Sequence, residues 1–263
     1  MKKLGFFFCL FVLTSTAAFA QKGALVIVGG GGTTDKIIAR TLELAGGKEA
    51  IVVVLPQSSA VENAGDSSVK MWLDAGAKEA RKVAFTDPDA KATLERATLI
   101  WMPGGDQNRF MKAIEGTGLD EVMRAAYKKG AVVGGTSAGA AVLSGKMITG
   151  DAELTSLASG KTVLGKGLGL WADGIVDQHF LRRQRNNRLL SAVLDNPGLV
   201  GVGIDEATAV ILRGSKLEAV GRSAVVVFDA RDAKVTKVAA GEPVAGTGLK
   251  LSVLREGMTF DLK

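Results

Sequence analysis

The chain has 263 residues, with 33 Lys and Arg against 27 Asp and Glu, a formal charge of +6, and only 5% aromatic residues. So mild a positive charge, with so few stacking side chains, argues against a nucleic-acid partner. The one cysteine, Cys9, falls in an N-terminal leader, which leaves the remaining chain without disulfides or thiol chemistry.

Residues 1–20 read as a cleavable export signal. Lys2-Lys3 form a basic start, residues 4–13 are nearly all apolar, and Ala18-Phe19-Ala20 is a small-residue cleavage site. The apolar run is too short to span a bilayer, and Cys9 lacks the small residues that precede a lipoprotein cysteine. Cleavage after Ala20 predicts a secreted or periplasmic protein that starts at Gln21 and has no membrane segment. Residues 21–263 then form a single catalytic domain with a large core.

Residues 24–28 are a β-branched run that ends in Gly29-Gly30-Gly31-Gly32, and a helix is predicted over 35–45. The four glycines resemble a dinucleotide loop, but Thr34 stands where G-x-G-x-x-G needs its third glycine, so the segment reads as a tight strand–helix turn. Strands are predicted at 51–55, 82–85 and 98–102, with helices at 69–75, 90–96 and 119–129. Pro103-Gly104-Gly105-Asp106-Gln107 ends the strand at 98–102. This alternation predicts a parallel sheet covered on both faces, with ligands at the carboxyl edge of its strands. Residues 131–133 end a further strand and 140–143 start a helix. Between them lies Gly135-Thr136-Ser137-Ala138-Gly139, a G-x-S-x-G match in the strand–turn–helix setting that gives the pattern meaning. A strand that turns at once into a helix tolerates only small neighbours and leaves the apex Oγ exposed on a strained backbone. The N–H of Ala138 follows at the helix start and is suited to an oxyanion.

Residues 145–174, rich in Gly, Ser and Thr, read as a mobile loop over the site. Gly160-Lys161-Thr162 within them is not a P-loop, because Thr155 occupies the required first glycine. A short strand at 174–176 leads into Asp177-Gln178-His179-Phe180, then Arg182, Arg183, Arg185 and Arg188, running into a helix that Pro197-Gly198 ends. Gly203-Ile204-Asp205-Glu206 opens a strand at 207–212. Short strands at 217–220, 223–229 and 235–238 read as antiparallel hairpins appended to the sheet.

His179 is the only histidine. A serine nucleophile needs a base near neutral pH, so if Ser137 acts through an imidazole it acts through His179. Glu206, Asp205 and Asp177 are candidates for the acid that orients it, with Glu206 preferred and Asp205 second. Gly104-Gly105 fits the second oxyanion donor. The density of guanidiniums suits carboxylates, with Asp177 carrying the opposite sign for a cationic group. One histidine and no remaining cysteine give metal chemistry little support, and no cofactor is expected.

Together, Pro103–Gln107, Gly134–Ala140, Asp177–Phe180 with the downstream arginines, and Gly203–Glu206 resemble the cyanophycinase and dipeptidase E family of serine peptidases, on a class I glutamine amidotransferase-like fold. The resemblance runs from about Ala24 to Phe228. It implies an α/β fold, a three-layer α/β/α flavodoxin-like sandwich with a mostly parallel central sheet. It implies the triad Ser137, His179, Glu206, whose chain order differs from the Ser, acid, His order of α/β-hydrolases. It implies oxyanion donors at Gly105 and Ala138 and a pocket lined by Gln107, Asp177, Gln178, Arg183, Arg185 and Arg188. The implied substrate is cyanophycin, a polyaspartate carrying arginine on its side-chain carboxylates, cut to β-Asp-Arg dipeptides. An exported aspartyl or isoaspartyl dipeptidase is the alternative within enzymes, and a non-catalytic peptide-binding protein the alternative outside them. A homodimer is compatible with the sequence.

Overall fold

The computed structural model describes residues 23–263 except Asp151 and Glu153; the leader assigned to residues 1–20 lies outside the described residues. The first half alternates as the pattern predicts: β1 (Leu25–Val28), α1 (Asp35–Leu44), β2 (Ile51–Val54), α2 (Asp66–Asp74), β3 (Glu79–Lys82), α3 (Ala90–Arg96), β4 (Leu99–Met102), α4 (Gln107–Ile114), α5 (Leu119–Lys128), β5 (Val132–Thr136) and α6 (Ala138–Ala141). Strands β1, β5, β4, β2 and β3 lie side by side in that order, all parallel. Successive side chains of a strand point to opposite faces. Val26, Val28, Val54 and Trp101 therefore meet Ile37 of α1 and Trp72 of α2 on one face, while Ile27, Val53 and Met102 meet Leu94, Phe110 and Met123 of α3, α4 and α5 on the other. Burial on both faces explains why β1, β2 and β4 read as unbroken apolar runs.

The second half is β6 (Lys146–Ile148), β7 (Leu164–Lys166), β8 (Gly174–Gln178), α7 (Asn186–Asp195), β9 (Val200–Ile204), β10 (Thr208–Arg213), β11 (Lys216–Gly221), β12 (Val225–Asp229), β13 (Lys234–Thr236), β14 (Ala245–Thr247), β15 (Lys250–Leu254) and β16 (Thr259–Asp261). β10, β11 and β16 extend the central sheet antiparallel from β1 to eight strands. A second sheet has the order β15-β12-β9-β8, with β8 and β9 parallel and joined through α7. Its inner face, including Val176, Val202 and Val227, is continuous with the main core. Its outer face packs Ile175, Phe180 and Phe228 against Leu189 and Val193 of α7. Gly201 and Gly203 of β9 permit this approach. A Cβ on Gly201 would stand 2.4 Å from Val193 Cγ2, and one on Gly203 2.4 Å from the Phe180 ring.

Three expectations are corrected, and one helix is added. The strand expected at 82–85 runs over Glu79–Lys82, an edge strand whose charged Glu-Ala-Arg-Lys sequence has no apolar pattern to read. Helix α4 arises after the Gly-rich loop, capped by Asp106, whose carboxylate accepts from Asn108 N–H at 2.7 Å. The expected loop at 145–174 contains the hairpin β6–β7. The C-terminal strands are not one appended unit: β11 continues the central sheet, whereas β12 belongs to the second.

Candidate active site

The site forms where the two sheets meet. Ser137 caps α6 directly after β5, at φ 54° and ψ −114°, an unfavourable region for a residue with a Cβ. Small neighbours make the turn feasible. A Cβ on Gly139 would lie 1.9 Å from Met102 O, and one on Gly135 2.5 Å from Gly139 C. Ser137 N–H donates to Val28 O at 3.0 Å, anchoring the apex to β1.

His179 follows β8, also at positive φ (49°). Its Nε2 lies 2.9 Å from Ser137 Oγ and its Nδ1 2.6 Å from Glu206 Oε1. A carboxylate only accepts, so Nδ1 carries the hydrogen toward Glu206, and Nε2 is left to accept from the serine hydroxyl. The imidazole is almost buried, whereas Glu206 is one-third exposed. The structure thus brings together Ser137, His179 and Glu206 from three separate turns. Asp205 is directed elsewhere. Partial burial would raise its carboxyl, but hydrogen bonds from Arg182 N–H and the Ser223 hydroxyl outweigh that and hold it below the usual aspartate range.

The four-glycine turn after β1, read from sequence only as a tight connection, is the seat of this arrangement. A Cβ on Gly30 would lie 2.3 Å from His179 Cε1, and one on Gly31 2.5 Å from Glu206 Cβ. Gly29 O accepts from His179 N–H at 2.7 Å and Gly30 O from Ala207 N–H at 2.8 Å. The glycines are needed because ring and carboxylate lie directly against the backbone; a run of four after a strand was the available signal.

On the other side of Ser137, a Cβ on Gly104 would be 3.4 Å from Ser137 Cβ, so the 103–105 loop lies against that serine. Ser58, which no sequence motif marks, holds that loop. Its hydroxyl donates to Gly104 O at 2.8 Å, and its carbonyl accepts Asp106 N–H at 2.8 Å. Gly105 has φ 144°, and a Cβ there would strike Ser58 O at 2.3 Å. Gln107 opens α4, and its amide donates to Ile148 O at 3.0 Å, tying the loop to β6.

The arginines divide. Arg188 forks Asp177, Nε to Oδ2 at 2.7 Å and Nη2 to Oδ1 at 2.5 Å, with both side chains buried. Arg185 donates to the carbonyl and side-chain oxygens of Gln178 and lies 3.6 Å from Asp177. Asp177, Gln178, Arg185 and Arg188, expected to line the substrate pocket, have buried side chains bound to one another. Helix α7 begins only at Asn186, so Arg182 and Arg183 lie in the turn before it rather than on its face. Arg183 remains exposed, four residues after His179, and forms no ion pair among the described residues.

The model of peptidase family S51 matches residues 24–220. The chain belongs to that family. Family S51 membership makes it a serine-type peptidase, and two relatives agree. The cyanophycinase of Geminocystis herdmanii is 36% identical over 259 residues, covering 93% of this chain and 95% of the relative. That of Thermosynechococcus vestitus is 34% identical over 260 residues, covering 92% and 80%. A crystal structure of a peptidase from an acI-B1 actinobacterium superposes with a TM-score of 0.68 at 20% identity, over 92% of this chain and 98% of that one. A putative peptidase E from Listeria monocytogenes gives 0.58 at 15% identity, over 77% and 100%. The fold is thus shared with these two structures: a flavodoxin-like α/β sandwich built on a mostly parallel central sheet.

Proposed function

We propose that this S51 peptidase is an exported enzyme that degrades cyanophycin to β-Asp-Arg dipeptides through a Ser137–His179–Glu206 triad. The observation that carries the reading is the imidazole of His179, bonded on one side to Ser137 Oγ and on the other to Glu206. Ser137 Oγ attacks the scissile carbonyl carbon while its proton passes to Nε2 of His179. Glu206 accepts the Nδ1–H bond and stabilises the imidazolium. The N–H groups of Ala138 and Gly105 receive the oxyanion. The proton on Nε2 then goes to the leaving amine as the C–N bond breaks. Water, giving a proton to the same nitrogen, attacks the acyl carbon; the bond to Ser137 Oγ breaks and that proton returns to the serine.

The substrate assignment draws on the names of the relatives and on Arg183, an exposed cation in no ion pair among the described residues, whose planar fork suits an aspartate carboxylate. Arg185, Arg188, Asp177 and Gln178 act as the frame behind the pocket, and Gln107 as part of its wall. Export draws on residues 1–20. The test is incubation of the purified protein with insoluble cyanophycin and, separately, with α- and β-aspartyl dipeptides. Release of β-Asp-Arg from the polymer is expected. Turnover of free aspartyl dipeptides alone would replace this reading with a dipeptidase.

A further inference from the structure

Four non-glycine residues have positive φ among the described residues: Ser137, His179, Gln184 and Ala207. The last three lie in two turns, the one that follows β8 and carries His179 and the one that follows β9 and carries Glu206. Strained turns hold their shape only where other contacts over-determine them. Asp205 joins these two. Its Oδ1 accepts Arg182 N–H at 2.9 Å, three residues beyond His179, and its Oδ2 accepts the Ser223 hydroxyl at 2.7 Å. Ser223 N–H in turn donates to Thr208 Oγ1 at 2.8 Å, and that hydroxyl donates to Glu206 O at 3.1 Å.

Resting on the triad reading above, we propose that Asp205 is a positioning residue: by bonding the His179 turn to the Glu206 turn it sets the alignment of imidazole and carboxylate on Ser137. Asp205 touches neither the imidazole nor the serine. Its two bonds run to a backbone N–H and to a hydroxyl, both donors, which an ionised carboxylate satisfies without a proton of its own. The low carboxyl range noted above keeps it in that form at neutral pH. Misalignment of about 1 Å at a reacting centre can cost on the order of 10²-fold, so a clamp this close has leverage without contact.

The test compares the parent protein with Asp205→Ala, Asp205→Asn and Ser223→Ala, using kcat and KM on β-Asp-Arg oligomers and the rate of labelling by diisopropyl fluorophosphate. In that labelling, Ser137 Oγ displaces fluoride at phosphorus and its proton passes to His179, so the rate reads the alignment without the peptide substrate. Asp205→Ala should lower kcat and the labelling rate together by roughly 10- to 100-fold with KM within about twofold. Asp205→Asn, which keeps one acceptor, should recover part of the loss, and Ser223→Ala should lose less than Asp205→Ala. Parent-like labelling in a folded Asp205→Ala protein overturns the clamp. Should that variant fail to fold, parent-like labelling in both Asp205→Asn and Ser223→Ala overturns it as well. A parent protein that is not labelled at Ser137 removes the triad reading and the clamp with it, a result distinct from labelling that Asp205 does not influence.

Discussion

The two halves of the candidate active site are built in different ways. The elbow half, β5 with Ser137 and α6, is determined by neighbours in sequence: small residues on both sides of the serine and a buried strand before it. The base half is assembled at long range. His179 ends a strand of the second sheet, Glu206 lies 27 residues later, and the two are held by the glycine turn after β1 and by buried polar bonds. The elbow should therefore tolerate no bulk, whereas the base half should be sensitive to polar changes that never touch the serine.

The largest effect on the base half is expected from Arg188→Met. It leaves the Asp177 carboxylate buried without its fork, with only Arg185 facing it at 3.6 Å. Removing one partner of a buried pair costs about 3–5 kcal/mol, measurable by denaturant unfolding. Burial already pushes the Asp177 carboxyl above the ordinary aspartate range, and Arg188 opposes that push. Without Arg188 the native state holds the proton more tightly than the unfolded chain. The variant should then lose further stability as pH rises above the ordinary carboxylate range and regain some on acidification. A loss that does not vary with pH would contradict the assignment of Asp177 as the uncompensated group.

Next comes Gly30→Ala at the seam between the halves. Its methyl would meet the His179 ring, so activity should fall roughly 10²-fold with little change in the far-ultraviolet circular dichroism. The matched change in the elbow, Gly139→Ala, meets the carbonyl of Met102 in the core and should instead lower stability by about 1–3 kcal/mol. Equal profiles for the two variants would erase the distinction between the halves.

This contrast also explains what could be read in advance. The parallel sheet was legible because its strands are buried on both faces, and the elbow because its steric demands are local. Glu206 lies against the His179 imidazole, whereas Asp205 turns to Arg182 and Ser223. Three things were not legible. β9 looks like the opening of β10, because its alternating glycines, there to admit Phe180 and Val193, dilute the apolar signal. Ser58 acts on the 103–105 loop from 45 residues away. The pairing of Arg188 with Asp177 across a strand–helix connection has no sequence period, so nothing in the sequence separates it from the exposed arginines.

The smallest effect sharpens the role of the outward-facing arginine. Arg183→Lys keeps the charge and loses the fork, so kcat/KM on β-Asp-Arg oligomers should fall about tenfold with stability unchanged. Activity equal to the parent would make Arg183 a solvated cation and return the substrate contact to another residue.

The central claim is that Ser137 and His179 act as one unit, and its most direct measurement is a double-mutant cycle on β-Asp-Arg release. Ser137→Ala and His179→Ala should each lower kcat by roughly 10³-fold or more, with folding intact, and the double variant should be no slower than the worse single one. Additive losses, or parent-like release by the Ser137→Ala protein, would contradict the account.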